Sequence, residues 1–358
     1  MAAQLAEANA SGRTIATGGA FSKLAMGGTD PAANETISTA AMNRLLEYEP
    51  ADLTVSVEAG MKWRDFQAPL AANQQMVPLD PCCYEEATVG GVLASNTCGP
   101  RRRLFGSARD MVIGLRFATM KGEVIQSGGM VVKNVAGLDI GKLMIGSFGT
   151  LGVIAVANFK LAPVPRVSAT FLQRSPTLDG IMKLRDAVLT GLLQPAAIDV
   201  IKDAGQWVLA LQVGATERVM ERYRRELGGA EMLDGQIEAA FWQRLREFSP
   251  AWMKANPGGA VVRVSTELSE MGRAMASLPG PMLARAGNGV VYGAFQDAAA
   301  AAQWVKSSPH RAVIEWAPPN SPVERWPKPG NDFAVMEQIK RMLDPGNLLN
   351  RGRLYGRL

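Results

Sequence analysis

Apolar and polar positions change their period along this chain, and the change divides it. Residues 14–19, TIATGG, read as a short strand running into a glycine turn, and FSKLAMGG (21–28) continues as loop. ISTAAMNRLLEYEPADLTVSVEAGMKW alternates strand and turn signals. WRDFQAPLAANQQ places Trp63, Phe66 and Leu70 at helical spacing and predicts a helix. From 88 to 154 the elements are short, and 13 of those 67 residues are glycine, against 37 in all 358. Such density signals positive φ or close approach of backbone to something. Residues 141–161, GKLMIGSFGTLGVIAVANFKL, predict a helix end, a glycine turn and a buried strand.

Pro163 and Pro165 mark a boundary, and beyond them the elements alternate conventionally. Helices are expected at 178–193, 215–227, 236–248, 269–278 and 298–308, and strands at 196–203, 206–213, 259–268, 287–295 and 310–318. The pattern is an antiparallel sheet with helices on one face. A last helix, DFAVMEQIKRMLDP, leads into GNLLNRGRLYGRL, and no repeat of 20–50 residues is visible. The expected division is 1–165, 166–318 and a C-terminal segment 319–358.

A chain of 358 residues exceeds one ordinary core. Its net charge of +5 is mildly basic, and the Arg101–Arg103 run is too short for a nucleic-acid patch. Cys82, Cys83 and Cys98 have no C-x-x-C spacing, so neither a disulfide framework nor a metal or iron–sulfur cage is expected, and a reducing compartment fits. The N-terminus lacks the charged start and apolar run of a secretory signal. The longest uncharged window, 143–159, is 17 residues with three glycines, a poor membrane span. His310 is the only histidine. A multi-histidine metal site is therefore impossible, and no G-x-S-x-G elbow supports a hydrolase.

Three motifs carry candidate chemistry. GSFGTLG is spaced G-x-x-G-x-x-G, not as a Rossmann fingerprint, and GLDIGK is too short for a Walker loop. TGGAFSK, with Gly18, Gly19, Ala20, Phe21, Ser22 and Lys23, is either a pyrophosphate cradle or an ordinary glycine turn. Residues 86–114 open on Thr88, Gly90 and Gly91 and continue through small residues. They suit a flat ligand lying on backbone, or a tightly packed helix with an Arg103–Asp110 salt bridge. In GSFGTLGVI, Gly149 and Gly152 flank Thr150 and Leu151 and can present backbone groups to a ligand edge.

Together, in this order and at these separations, the three motifs resemble the FAD-binding domain of the vanillyl-alcohol oxidase / p-cresol methylhydroxylase superfamily. VVKNVAGLDIGKLMIGSFGTLGVI is similar to the family stretch in which K-N-V-A-G-Y-D precedes G-S-x-G-T-L-G-V-I. Within the superfamily the whole chain looks most like the E-type FAD-binding subunits of bacterial glycolate oxidases, including ATVGGVLASNTCGPRRRLFGSARD and MLDPGNLLNRGRLY.

The resemblance implies an α+β protein: a two-subdomain FAD-binding domain of the vanillyl-alcohol oxidase type plus an α+β cap domain with an antiparallel sheet. Residues 18–23 would hold the FAD pyrophosphate. Thr88, Val89, Gly90, Gly91, Ser95 and Gly99 would line the flavin and ribityl chain, and Pro81 joins the cofactor set. Ser107, Asp110 and Val112 would support the cofactor, and Gly149, Gly152, Val153 and Ile154 would contact the adenosine side. DPGNLLN would return near the flavin. The chain departs at Leu138, where the family usually has tyrosine, and at Asn350-Arg351-Gly352-Arg353, where N-P-G-R is usual; its first βα unit also reads short.

No histidine lies in either glycine segment that would hold the cofactor, so FAD is expected to be non-covalent. The histidine-bound metal common in hydroxy-acid dehydrogenases of this superfamily cannot be built. The implied role is electron relay or assembly beside a D-type FAD subunit that oxidises the small 2-hydroxy acid, with an iron–sulfur subunit taking the electrons. A cytoplasmic location follows, with membrane contact only through partners. The alternatives are a structural subunit of the same fold and a self-sufficient dehydrogenase. In the latter His310 is a candidate proton acceptor, though its place before RAVIEWAP also suits a structural strand-edge residue.

Overall fold

The computed structural model describes residues 1–28, 33–130 and 139–358. The chain forms two compact units: Met1–Thr97, Ser107–Pro163 and Pro319–Leu358 make the first, and Cys98–Gly106 with Val164–Pro318 make the second.

The first unit is built on a five-stranded antiparallel sheet in the order Leu45–Glu49, Thr54–Glu58, Val153–Lys160, Val112–Ala118, Val124–Gly128. Its middle strand, the one expected after the glycine turn, is buried at its first five positions. Burial on both sides explains why that segment is apolar without alternation. The expected helix forms over Trp63–Ala72, with Trp63, Phe66 and Leu70 wholly buried. Trp63 and Phe66 close on Phe159 at ring separations of 6.2 and 5.5 Å. Such pairs add about 0.5–1.5 kcal/mol beyond area burial.

A second, two-stranded element sets up the site. Ile15–Gly18 pairs in parallel with Glu35–Ser38, and Ile15 also bridges Leu349 from near the C-terminus. Leu349 shares a core with Leu5, Ile15, Ile37, Met120 and Val153. The last residues are thereby built into the first unit beside its first strand.

The second unit carries an eight-stranded antiparallel sheet ordered Glu231–Leu233, Val167–Ser175, Gln206–Ala215, Ala197–Asp203, Met282–Arg285, Val290–Phe295, Ala260–Ser265, Arg311–Trp316. The expectation of helices on one face is corrected. Leu172 packs in a cluster with Trp242 of helix Gly235–Arg246, while its neighbour Phe171 stacks on Tyr223 of helix Glu217–Glu226. Successive strand residues point to opposite faces, so both faces are covered. Strand Gln206–Ala215 agrees, with five consecutive buried positions, Trp207 to Leu211.

One carboxylate is buried in that packing. Glu238 accepts hydrogen bonds from the hydroxyls of Ser168 (3.0 Å) and Thr170 (2.9 Å), and Trp242 Nε1 donates to the same Thr170 oxygen at 2.7 Å. Burial pushes the Glu238 carboxyl above its usual range, against the hydroxyls that favour the charge. A raised folded-state pKa favours folding only while the group is protonated. That contribution is full below the unfolded value and lost as pH rises through the folded one. Glu238→Gln, neutral throughout, should therefore raise the Tm by a few degrees at neutral pH. The gain should fade as pH drops and vanish well below the ordinary glutamate value of about 4.3, where the wild-type carboxyl is protonated in both states.

Candidate functional site

Strand Ile15–Gly18 ends at a turn whose residues 18–23 form one wall of a cleft in the first unit. The cleft encloses about 820 Å³ of non-protein space, counting the part open to solvent. A second wall is made by Gly149, Gly152, Val153 and Ile154, and the floor includes Thr88, Gly90, Gly91 and Ser95. The structure thus gathers 14 of the sequence-expected cofactor residues: the six of residues 18–23, these four floor residues and the four of the second wall.

The floor is the helix Val89–Ser95, so the segment forms the packed helix of one expectation, and its small residues Gly90, Gly91, Ala94 and Ser95 line the cleft. Thr88 caps it by accepting from the Gly91 N–H at 3.3 Å, and Ser95 Oγ donates to Gly91 O at 2.6 Å. The GSFGTLG turn docks on the same helix through Gly146 N–H to Leu93 O (3.0 Å) and Phe148 N–H to Ala94 O (2.8 Å). Glycine is required at two of these positions. Gly149 has φ +72°, and a Cβ there would lie 2.6 Å from Asn350 Nδ2. A Cβ on Gly19 would overlap the Thr88 hydroxyl.

The turn is held through its backbone carbonyls by cations. The Arg353 guanidinium donates to the carbonyls of Lys23 (3.1 Å), Leu24 (3.1 Å) and Met26 (2.8 Å), and Arg325 donates to those of Ala25 and Gly27. Every carbonyl from Lys23 to Gly27 is thereby engaged. Burial, and secondarily the Arg353 charge, lower the Arg325 guanidinium to about 10. Asn350 joins the two walls: its Oδ1 accepts from the Thr17 N–H at 2.7 Å and its Nδ2 donates to Phe148 O at 2.8 Å. Phe21, Phe148 and Asn350 all line the cleft with left-handed φ of 54°, 52° and 44°. Non-glycine residues in that region cost of order 1 kcal/mol or more each and gather at ligand sites.

The electrostatics point to an anion. Among the described residues the lining carries Lys23 and Arg353 and no carboxylate. Lys23 is 8% exposed, and among the described residues its ammonium has no hydrogen-bond partner, nor has the buried Thr17 hydroxyl. A buried ammonium without a counter-charge is costly, so this one is set to receive an anionic group. With the glycine walls, the donor set fits a dinucleotide carrying a pyrophosphate.

Other expected residues lie apart from the lining. Pro81 is buried in the loop before the floor helix and Val89 is buried as its first residue, with its N–H on Met61 O. Ser107 and Asp110 close a capping box on the short helix Ala108–Met111, the Asp110 carboxylate accepting the Ser107 N–H (2.7 Å) and hydroxyl (2.8 Å). Those bonds hold the carboxyl below its usual range. The expected Arg103–Asp110 pair gives way to this cap, and Arg103 donates to Gln194 in the second unit. Val112 begins a sheet strand and is buried in it. Gly99 belongs to the second unit, as does His310, half-buried in the bend before strand Arg311–Trp316. Leu138 and Lys133 fall outside the described residues. The lining also takes in Leu24, Thr39, Phe148 and Arg353, which the sequence reading missed, with Thr17 from the start of TGGAFSK and Asn350 from the end of DPGNLLN, the run expected near the flavin. Asn350 and Arg353 had a signal, as the first and last residues of the N-x-G-R run.

Comparisons with known proteins agree with this geometry. Residues 1–128 match the family described as FAD binding domain. The chain is 31% identical over 341 residues to the glycolate oxidase subunit GlcE of Escherichia coli (strain K12), covering 92% of this chain and 89% of that one. It is 32% identical over 160 residues to the glycolate oxidase subunit GlcD of Bacillus subtilis (strain 168), covering 45% of this chain and 34% of that one. A D-2-hydroxyglutarate dehydrogenase of Xanthomonas citri pv. viticola matches at 30% over 177 residues, 49% of this chain and 38% of the dehydrogenase. A solved structure of alkyldihydroxyacetonephosphate synthase superposes with a TM-score of 0.69 over 98% of this chain and 73% of its own, at 16% identity, and so shares the fold. With the FAD-binding fold and near full-length similarity in hand, the chain belongs to the GlcE family of glycolate oxidase subunits, within the vanillyl-alcohol oxidase / p-cresol methylhydroxylase superfamily.

Proposed function

We propose that this chain is the FAD-binding subunit of a multi-subunit glycolate-type 2-hydroxy-acid oxidoreductase, serving electron transfer or assembly while a D-type flavin subunit oxidises the 2-hydroxy acid. The observation that carries the reading is the Lys23 ammonium, buried in a glycine-walled cleft with neither a hydrogen-bond partner nor a carboxylate among the described residues. Lys23 and the 18–23 turn would take the pyrophosphate, Thr88, Gly90, Gly91 and Ser95 the flavin and ribityl chain, and Gly149, Gly152, Val153 and Ile154 the adenosine side. FAD bound there supplies reversible electron acceptance and donation. The chain's own part is to bind it, neutralise its phosphates and shield it from water. The single histidine of the sequence argues for leaving hydroxy-acid oxidation to the partner. Three cysteines without C-x-x-C spacing argue that an iron–sulfur subunit takes the electrons. Among the described residues no helix is long and apolar enough to cross a membrane, in keeping with contact through partners.

The test is purification of the tagged chain from its native host with whatever assembles on it, followed by acid precipitation. Flavin should pass to the supernatant as FAD, a D-type flavoprotein should co-purify, and glycolate-dependent dye reduction should need the complex. Flavin retained in this chain's pellet would overturn non-covalent binding. No flavin after reconstitution with FAD would sink the cofactor reading, and turnover by the isolated chain would overturn the division of labour.

A further inference from the structure

Behind the cleft lies an ion pair that the proposed function does not use. Lys340, on helix Phe333–Leu343, is 2% exposed and Asp344 is wholly buried. The Lys340 ammonium donates to Asp344 Oδ2 (2.7 Å), Thr150 O (2.7 Å) and Leu349 O (3.0 Å). An ammonium has three protons, and here each has an acceptor, one from Thr150 and two from the 344–349 segment that follows the helix. The Asp344 carboxylate in turn accepts the N–H groups of Leu348 (2.9 Å) and Leu349 (2.8 Å).

The placement of these bonds matters more than their number. Thr150 follows Gly149 on one wall of the cleft. Leu349 precedes Asn350, whose side chain holds Thr17 on the other wall and whose N–H reaches Ile15 O at 2.8 Å. Lys340 itself is not among the lining residues. Apolar side chains of similar volume fill such a site at equal or lower cost. A charged pair is warranted where several backbone carbonyls must be held at a fixed separation. We infer that Lys340 and Asp344, acting through Asn350, form a clasp that sets the spacing of the two cleft walls, so that its closure and ligand binding are coupled. Lys340 is thus a positioning residue for the cofactor, and this rests on FAD being the ligand.

The test compares wild type, Lys340→Met and the double variant Lys340→Met/Asp344→Asn, using FAD titration, thermal unfolding and hydrogen exchange. Lys340→Met should weaken FAD about tenfold or more, within the usual range of coupling between sites. It also leaves a buried carboxylate without its counter-charge, so it should lower the Tm. The double variant removes that charge and should regain most of the Tm, yet keep the weakened affinity, because Thr150 O and Leu349 O remain unheld. A merely structural pair would let affinity recover with stability, and that result would overturn the clasp. In the wild-type chain, coupling is reciprocal. Saturating FAD should slow exchange of the Leu349 and Asn350 amides severalfold, and unchanged exchange there would count against the clasp. If wild type binds no FAD, the cofactor reading fails by itself. The clasp is then judged on the ligand-free proteins, where Lys340→Met should speed exchange at Thr17 and Asn350, and unaltered rates would reject it.

Discussion

Replacing Lys23 by glutamate should leave the purified chain without flavin. The wild-type ammonium is buried beside the turn, partnerless among the described residues, and faces a cleft that holds no carboxylate. A charge-assisted hydrogen bond to a phosphate contributes about 1.5–3 kcal/mol. Lys23→Met should therefore weaken FAD about 10- to 100-fold while leaving the fold intact, since the turn is held through backbone carbonyls by Arg325 and Arg353. Glutamate adds repulsion to the same loss. Fluorescence titration with FAD separates the two variants. The thermal stability of ligand-free Lys23→Met should match or exceed the wild type, because the unpaired charge is a cost in the empty cleft. Wild-type affinity in Lys23→Met would dismiss the phosphate assignment.

Gly19→Ala should cost both flavin and stability, for a steric reason. An added Cβ would overlap the Thr88 hydroxyl and lie within 2.6 Å of Thr88 Cγ2 and 2.8 Å of its Cβ. Rotating the threonine cannot relieve a contact with its own Cβ, so the turn or the helix start must move. Displacing Thr88 also surrenders the cap on helix Val89–Ser95, worth about 1 kcal/mol, and overpacking adds about 1–3 kcal/mol. Calorimetry should show a Tm several degrees lower, and the protein should purify colourless. Gly91→Ala is the control: its Cβ would meet only Thr88 Oγ1, at 3.3 Å, so the fold should survive. A yellow and fully stable Gly19→Ala would mean that the turn shifts freely and that its geometry is not what holds the cofactor.

Local signals in the sequence carried most of the elements. Trp63, Phe66 and Leu70 announce their helix because a 3.6-residue period puts them on one face, and all three are buried there. The apolar run before Lys160 announces a strand buried on both sides. Strand Val167–Ser175 escaped notice behind Pro163 and Pro165, although it pairs along its whole length with Gln206–Ala215. Covering both faces of that sheet was likewise hidden, because alternation reports burial on one face and fails when both are buried.

The candidate site divides in the same way. By itself the sequence determined the two glycine walls and the small-residue floor, because close backbone approach excludes side chains and leaves glycine as a visible mark. Through its single histidine it also excluded a metal site built from several histidines. Only the tertiary structure decided what holds the walls together. Asn350 lies 333 residues from Thr17 and 202 from Phe148, and Lys340 lies 190 from Thr150. Contacts at such separations leave no periodicity in the sequence. Only in the fold does it emerge that Lys23 is a buried cation without a partner among the described residues, while Arg353, Arg325 and Lys340 are spent on backbone carbonyls.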